Sequence, residues 1–595
     1  MFRKRFTTIV VFVFCLALIT PVSAKTVHLK LIETTDVHGS FFPYDFIKAK
    51  DVPASLAQTY TYIKEQRANP DQHVLLIDNG DILQGQPTVY YSNFEKTDSP
   101  HICSQIMNFM KYDVGVFGNH DVEAGHPIYD KLAKEFTFPW LAANAVKTGT
   151  DDPYFDAYAV FETDGVKVAI LGLTTPGVPN WLPENLWEGI EYRDMVESAK
   201  KWVAIIQEKE HPDLLVGSFH SGVDFTYKGQ TADTPLNENA TEIVAQKVPG
   251  FDVVFSGHDH KIWNKVITNE AGGDVLVIGA NNAAKSAAVA DVTLTFDEQA
   301  KGWKKEIRGE IIDIKEYAAD EEFLTQFAGI VNEVKAYVDK PIGKFTKTIS
   351  TREAMFGDSP FVDLIHHIQL ELTQADVSFA APLSFDTSIE EGEVFVRDMF
   401  KLYKYENLLY TMKLSGQEIK DFLEYSYGNW FDQMKDADSH LILFKKDDNG
   451  ELIWSERSGS YETVARYYNY DSAAGINYTV DVSKPVGERI TITDLFDGTA
   501  FDLKKIYKVA INSYRGNGGG GHLTKGAGIP KAELTDRMLS STIKDLRYFL
   551  MKWIEGQQVV TPKAYGNWHM IPADWWEKAK AKDYTVLYES EAPKK

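Results

Sequence analysis

"VGVFGNHDVEAG", residues Val114 to Gly125, joins a short apolar run to a polar cluster without a break. An apolar run that ends abruptly in polar residues, with helix-like sequence after it, reads as a buried strand of a layered domain. The same pattern recurs from residue 25 to about 300. "VHLKLIETTDVHG" and "VLLIDNGD" come before it; "VKVAILGLTT", "DLLVGSFHSG", "FDVVFSGHDH" and "DVLVIGANN" come after. "AAVADVTLTFD" then reads as a closing antiparallel strand. Strands alternating with helices predict an α/β fold class. In open α/β sheets the ligand crevice lies beyond the carboxyl ends of the strands. The polar residues sit at those ends, so they are expected to converge.

In chain order they are Asp36 and His38, Asp81, Asn119 and His120, His220, and His258 and His260. Carboxylate oxygen with imidazole nitrogen suits divalent ions such as Zn, Mn, Co or Fe. Even seven ligands from this set of eight are too many for one tetrahedral ion and suit two. A carboxylate can bridge two ions about 3.5–4 Å apart. In extended chain, side chains two residues apart point the same way. Each Asp-x-His or His-x-His pair is therefore expected to reach one metal site. Gly80, Gly118 and Gly257 stand immediately before ligands, where tight turns are expected.

The chain has 595 residues, too many for one hydrophobic core. No run after the N-terminus is apolar enough to span a bilayer. Arg3 to Arg5 form a basic start, "TTIVVFVFCLALIT" an apolar middle, and "PVSA" a small-residue end. That is the layout of a secretory signal peptide cut after Ala24. Its removal leaves one cysteine, Cys103, on the amphipathic "SPHICSQIMNFM", so no intrachain disulfide forms. Export without disulfides fits a bacterial envelope: a periplasmic or secreted protein with no stable membrane insertion. The net charge is −23, near −26 once the three leader cations are removed. Such a surface repels nucleic-acid polymers. A small phosphorylated substrate could still bind where metal ions draw it in.

Residues 320–342 read as a connecting helix stopped by Pro341. Beyond it, helices such as "FVDLIHHIQLELT" and strands such as "LLYTMKLS" predict a second, α+β domain. The expected divisions are a leader at 1–24, a first domain at 25–318 and a linker helix at 319–349. A second domain at 350–575 and a loose Lys/Glu-rich tail at 576–595 complete them. "NSYRGNGGGGH", Asn512 to His522, follows the strand-like "YKVAI". It lacks the Gly-Lys-Ser/Thr ending of a P-loop, and no helix start follows it closely.

The series "DVHG … NGD … GNHD … HSG … GHDH" resembles the calcineurin-like metallophosphoesterases. With the second domain, the chain resembles the bacterial periplasmic 5′-nucleotidase/2′,3′-cyclic phosphodiesterase family over nearly all its mature length. The resemblance implies a layered β-sandwich flanked by helices, followed by a helical linker and an α+β substrate-binding domain. It implies one metal on Asp36, His38, Asp81 and His260. The other would take Asp81, Asn119, His220 and His258, with Asp81 bridging. It implies that His120 is no ligand but contacts the phosphate and protonates the leaving oxygen, a task suited to His near neutral pH. Glu123 matches the position of the family's orienting acid, and Asp121 competes for that role.

For selectivity the resemblance implies two rings that sandwich the base, here Tyr405, with Asn407 two residues on, and Tyr514. Base stacking is worth roughly 1–3 kcal/mol per base. It also places Arg515, Gly516, Asn517, Gly518 and Gly519 in the substrate pocket, with Arg515 either touching the nucleotide or facing solvent. The arginine-bearing segment of the 5′-nucleotidase branch is absent from "FAAPLSFDTSIEEGEV". Arg352 could replace it but reads as a surface residue. "GDSPFVDLI", "LYKYEN" and "YRGNGGGG" look closer to the 2′,3′-cyclic-nucleotide 2′-phosphodiesterase/3′-nucleotidase branch. The expected protein is a monomeric two-metal hydrolase of small nucleotides. The alternatives are a 5′-nucleotidase or nucleotide-sugar hydrolase of the same fold, and a non-catalytic nucleotide-binding surface protein.

Overall fold

The computed structural model describes residues 25–593 apart from 456 and 457. The expected leader, 1–24, lies outside the described residues. Twelve strands of the first domain form two six-stranded sheets. One runs, in spatial order, Gly302–Asp313, Ser286–Asp297, Thr26–Thr34, His73–Asp78, Val114–Val116 and Trp140–Leu141. The other runs Trp263–Thr268, Asp274–Gly279, Val253–Ser256, Leu214–His220, Val166–Thr174 and Tyr158–Thr163. Alternation along the strands decides what they bury. Leu29, Leu31 and Val116 from the first sheet meet Val168, Val216 and Phe255 from the second in one core between the sheets. The opposite faces pack under helices, Leu56–Arg67 and Ile102–Met110 on one side and Met195–Lys209 on the other. Cys103 is buried in the second of these helices.

The central strands are parallel: Thr26–Thr34 with His73–Asp78, that strand with Val114–Val116, and Leu214–His220 with Val253–Ser256. Their carboxyl ends therefore open on one side of the sandwich, which is where the polar residues stand.

The linker differs from its expected span. The helix runs Glu321–Val338, with Asp320 capping it by accepting from the Phe323 amide. Its Phe323, Phe327, Val334 and Val338 belong to the first domain's core. From Pro341 the chain is already a strand of the second domain, paired with Gly392–Phe395 and Val559–Val560. The second domain is built on a five-stranded sheet: Ser472–Ala474, Val377–Ala380, Ile506–Asn512, Leu408–Ser415 and Met538–Asp545.

The tail is not loose. Ala573–Tyr588 is a helix that buries Ala579, Asp583 and Leu587. The Asp583 carboxylate accepts from the Leu441 and Ile442 amides at 2.7 and 2.9 Å and from His440. Ala579 and Leu587 of this helix pack into the second domain's core, while Glu577 and Lys578 are exposed. Arg352, expected at the surface, forks onto Asp386 at 2.6 and 2.7 Å and reaches Tyr584 on that helix at 3.3 Å. Among the described residues no helix is long and apolar enough to cross a membrane.

Candidate active site

The strand ends deliver the expected side chains as two adjoining groups. Asp36, His38 and His260 form one, and Asp81, His220 and His258 the other. In the first, His260 Nε2 lies 3.1 Å from both Asp36 Oδ1 and His38 Nε2. In the second, His220 Nε2 lies 3.1 Å from Asp81 Oδ2 and 3.1 Å from Asn119 Oδ1, and His258 Nδ1 lies 2.7 Å from that same amide oxygen.

The expected reason for the spacing is wrong. Asp36, His38, Asp81, His258 and His260 all have positive φ, between 49° and 71°, so none is extended. They lie in turns just past the strands, held in a conformation that costs L-residues energy and persists where surroundings impose it. Asp36 and His38 still share a group, but His258 and His260 do not; one falls in each group. The glycines also differ in cause. Gly80 needs its φ of 91°. At Gly118 the need is space, since a Cβ there would lie 2.2 Å from Asp81 Oδ1.

The donors fit a pair of divalent ions. His38 Nδ1 lies 3.1 Å from the Gln84 carbonyl, and His220 Nδ1 lies 2.7 Å from the Asn79 carbonyl. A carbonyl only accepts, so in the neutral rings these Nδ1 atoms carry the hydrogen and Nε2 presents a lone pair. Those lone pairs face His260 in one group and oxygens in the other. Asp36 Oδ1 and Asp81 Oδ2 are moreover buried without a hydrogen bond. Lone pairs set against lone pairs in a buried place call for cations between them, and carbonyls behind metal-ligating imidazoles are the usual way of fixing their tautomer. Burial alone would raise the Asp81 carboxyl, but without ions the facing His220 and His120, in their protonated forms, hold it well below its ordinary range, a role that bound cations would take over.

His120 stands beside the groups, its ring 5.3 Å from that of His38. Its amide donates to Asp81 Oδ1 at 2.7 Å, and its Nδ1 meets Glu123 Oε1 at 2.7 Å. Burial opposes a charge on the ring, but Glu123 and Asp81 override it and lift its pKa to about 10. Asp121 has a different task. Its carboxylate accepts from the amides of Gly118, Asp81, Ile82 and Leu83 at 2.7–3.0 Å, tying the Asn119 turn to the Asp81 turn. Asn79 and Gln84 organise the site without having been singled out, and Asp121, a candidate for orienting His120, ties two turns together instead.

On the second domain, Leu409 pairs with Asn512 across antiparallel strands. Tyr405 and Asn407, just before one strand, and Tyr514, just after the other, therefore emerge at the same sheet edge. Tyr405 lies within electrostatic reach of Tyr467, Tyr468, Tyr514 and Glu123. Its ring meets Tyr468 edge-on at 6.4 Å. The aromatic run "RYYNYD" at 466–471 could have flagged Tyr467 and Tyr468. The Asn407 amide donates to the Tyr403 hydroxyl at 3.4 Å.

Arg515 contradicts both of its expected roles. It is 1% exposed, so it does not face solvent. Its five donors go to Asp471 twice, Asn469, and the carbonyls of Gly519 and Tyr468. None is left for a nucleotide. The glycines wrap this arginine and its neighbour. A Cβ on Gly520 would lie 2.4 Å from Arg515 Nη1, and one on Gly519 would strike the Tyr514 ring at 2.6 Å. Gly516 lies against Tyr410 in the same way, at 2.5 Å. Asn517 and Gly518 continue the loop with amide bonds back to Ser513 and Arg515. The absence of helix was also misjudged: Ser513–Gly516 is a helical turn capped by Asn512, and His522–Gly526 is another.

Comparison with known proteins agrees with this geometry. The calcineurin-like phosphoesterase family matches residues 29–262, and the 5′-nucleotidase C-terminal domain family matches 341–525. The trifunctional nucleotide phosphoesterase protein YfkN of Bacillus subtilis is 28% identical over 92% of this chain, which spans 39% of its length. The 2′,3′-cyclic-nucleotide 2′-phosphodiesterase/3′-nucleotidase of Haemophilus influenzae is 27% identical over 92% of this chain and 88% of its own. The crystal structure of a putative 5′-nucleotidase from Staphylococcus aureus superposes with a TM-score of 0.74 at 22% identity, covering 91% of this chain and 99% of that one, and so shares the fold.

Proposed function

We propose that this chain, which matches the calcineurin-like phosphoesterase family over residues 29–262 and the 5′-nucleotidase C-terminal domain family over 341–525, hydrolyses nucleotide phosphoesters. The favoured substrates are 2′,3′-cyclic nucleotides, opened to 3′-nucleotides, and 3′-nucleotides, cleaved to nucleoside and phosphate. The observation that carries this reading is the placing of two metal-type donor groups beside a His120–Glu123 pair in one strand-end crevice. Two relatives bearing phosphoesterase names, alike over 92% of the chain, support the substrate class.

Asp36, His38, His260 and Asp81 would hold one divalent ion, and Asp81, Asn119, His220 and His258 the other. When bound, such a pair supplies neutralisation of phosphate charge and activation of a water for attack on phosphorus. His120 gives its Nε2 proton to the departing ribose oxygen while Glu123 holds Nδ1 and fixes the ring. Asn119 adds an amide contact beside the phosphate. Tyr405 and Tyr514 hold the base from the second domain. Arg352 and Arg515 are both bound to carboxylates, so neither replaces the arginine of the 5′-nucleotidase branch, which favours the cyclic and 3′ substrates. We extend the proposal to export and to action as a monomer that scavenges nucleotides.

His120→Ala tests the mechanism. The variant should keep its metals and lose roughly 10²–10⁴-fold in kcat. A metal-loaded variant with a near-normal rate contradicts it.

A further inference from the structure

The imidazoles of the site are not held alike. His38 and His220 are each backed by a carbonyl, Gln84 and Asn79 respectively. Among the described residues no carbonyl backs His258, whose ring bonds only forward, to Asn119 Oδ1. Its face is covered instead. The Trp181 ring stacks on it with centroids 5.6 Å apart and planes 21° from parallel. Trp181 is itself fixed by its loop. The turn Val178–Asn180 folds the indole back onto Gly177, where a Cβ would lie 2.3 Å from the ring, and buried Val178 anchors the turn. On the far side, Lys531 of the second domain donates to the Asn180 side chain. Lys531 is itself exposed, so this contact sits at the solvent edge where the two domains meet. A metal-binding imidazole must be oriented by something behind it, and an offset aromatic stack fixes a ring plane as a hydrogen bond fixes its edge.

We propose that Trp181 is the positioning residue for His258, and that Lys531 braces it through Asn180, so that the docked second domain tightens one of the two divalent-cation sites. This rests on the two-metal reading above. It makes the site on Asp81, Asn119, His220 and His258 sensitive to the second domain, while the site on Asp36, His38 and His260 is not.

The test is titration of metal-stripped full-length protein with Mn²⁺ alone, followed by electron paramagnetic resonance, which separates single ions from coupled pairs. Trp181→Leu should weaken the binding of one ion roughly 10–100-fold and leave the other unchanged. The single-ion signal should then persist to higher Mn²⁺ before coupling appears. Trp181→Phe should restore near-normal pairing, and Lys531→Met should weaken the same ion to a smaller extent. A general loss of folding would weaken both ions together, which is what a merely structural tryptophan predicts. Unchanged pairing in Trp181→Leu and Lys531→Met, or equal weakening of both ions, overturns the inference while leaving the two-metal reading intact. Wild-type protein that binds a single Mn²⁺ overturns both.

Discussion

Asp121 and Glu123 are two acids three and five residues after Gly118, and the structure separates them by what reaches each carboxylate. Four backbone amides reach Asp121, and the His120 ring reaches Glu123. Tyr514 and Arg515 are a second such pair, adjacent in sequence and opposite in task. Tyr514→Ala should raise KM for nucleotides about 5- to 150-fold, the equivalent of one lost stack, and change kcat less. Arg515→Ala should instead cost roughly 3–5 kcal/mol of stability, because it removes the guanidinium that pairs with the buried Asp471 carboxylate. Steady-state kinetics and thermal melts distinguish the two. The metal-type donors and their order were legible because each follows an apolar run. The left-handed backbone at Asp36 or His258 was not, since it falls on the donor residues themselves rather than only on the glycines beside them. Arg515 was misread because its partner lies 44 residues away.

At the scale of elements, apolar periodicity located the strands, while composition misled at the tail. A buried face of Ala579, Asp583 and Leu587 is sparse enough to hide among lysines. Removing residues 573–595 should destabilise the second domain by roughly 3 kcal/mol or more, because three bonds to a buried carboxylate are lost; a chain with unchanged thermal stability would contradict the fold described. The helix Pro360–Thr373 makes a pH prediction. Its Asp363 accepts from the Tyr565 amide at 2.5 Å, while Asp358 accepts from the Gly566 amide at 2.6 Å. Burial first, and the Asp358 carboxyl second, raise the Asp363 carboxyl from 3.8 to about 9. The folded state therefore holds a proton that the unfolded chain releases near pH 4. Stability from this group is complete below that pH and is lost as pH rises through about 9. Asp363→Asn removes the titration and keeps the amide bond, so its melting profile should be flatter over that window and higher than wild type at pH 8.

Across the whole molecule, polar and aromatic contacts join the two domains. Tyr90 of the first domain donates to Asp545 at 3.1 Å, and Arg547 lies over the Tyr90 ring at 4.8 Å. That arginine also donates to the carbonyls of Tyr403 and Lys404, just before Tyr405. The aromatic edge is thus tied to the domain that carries the metal-type donors. None of this was legible in one sequence, because the contacts join segments hundreds of residues apart. The most direct measurement is hydrolysis of 2′,3′-cyclic AMP, 3′-AMP, 5′-AMP and a UDP-sugar by the purified protein, before and after chelation and with Mn²⁺ restored. Turnover should be fastest on the cyclic and 3′ compounds, vanish with chelator and return with metal. Faster turnover of 5′-AMP than of both, or rates indifferent to the chelator, would contradict the proposed reaction.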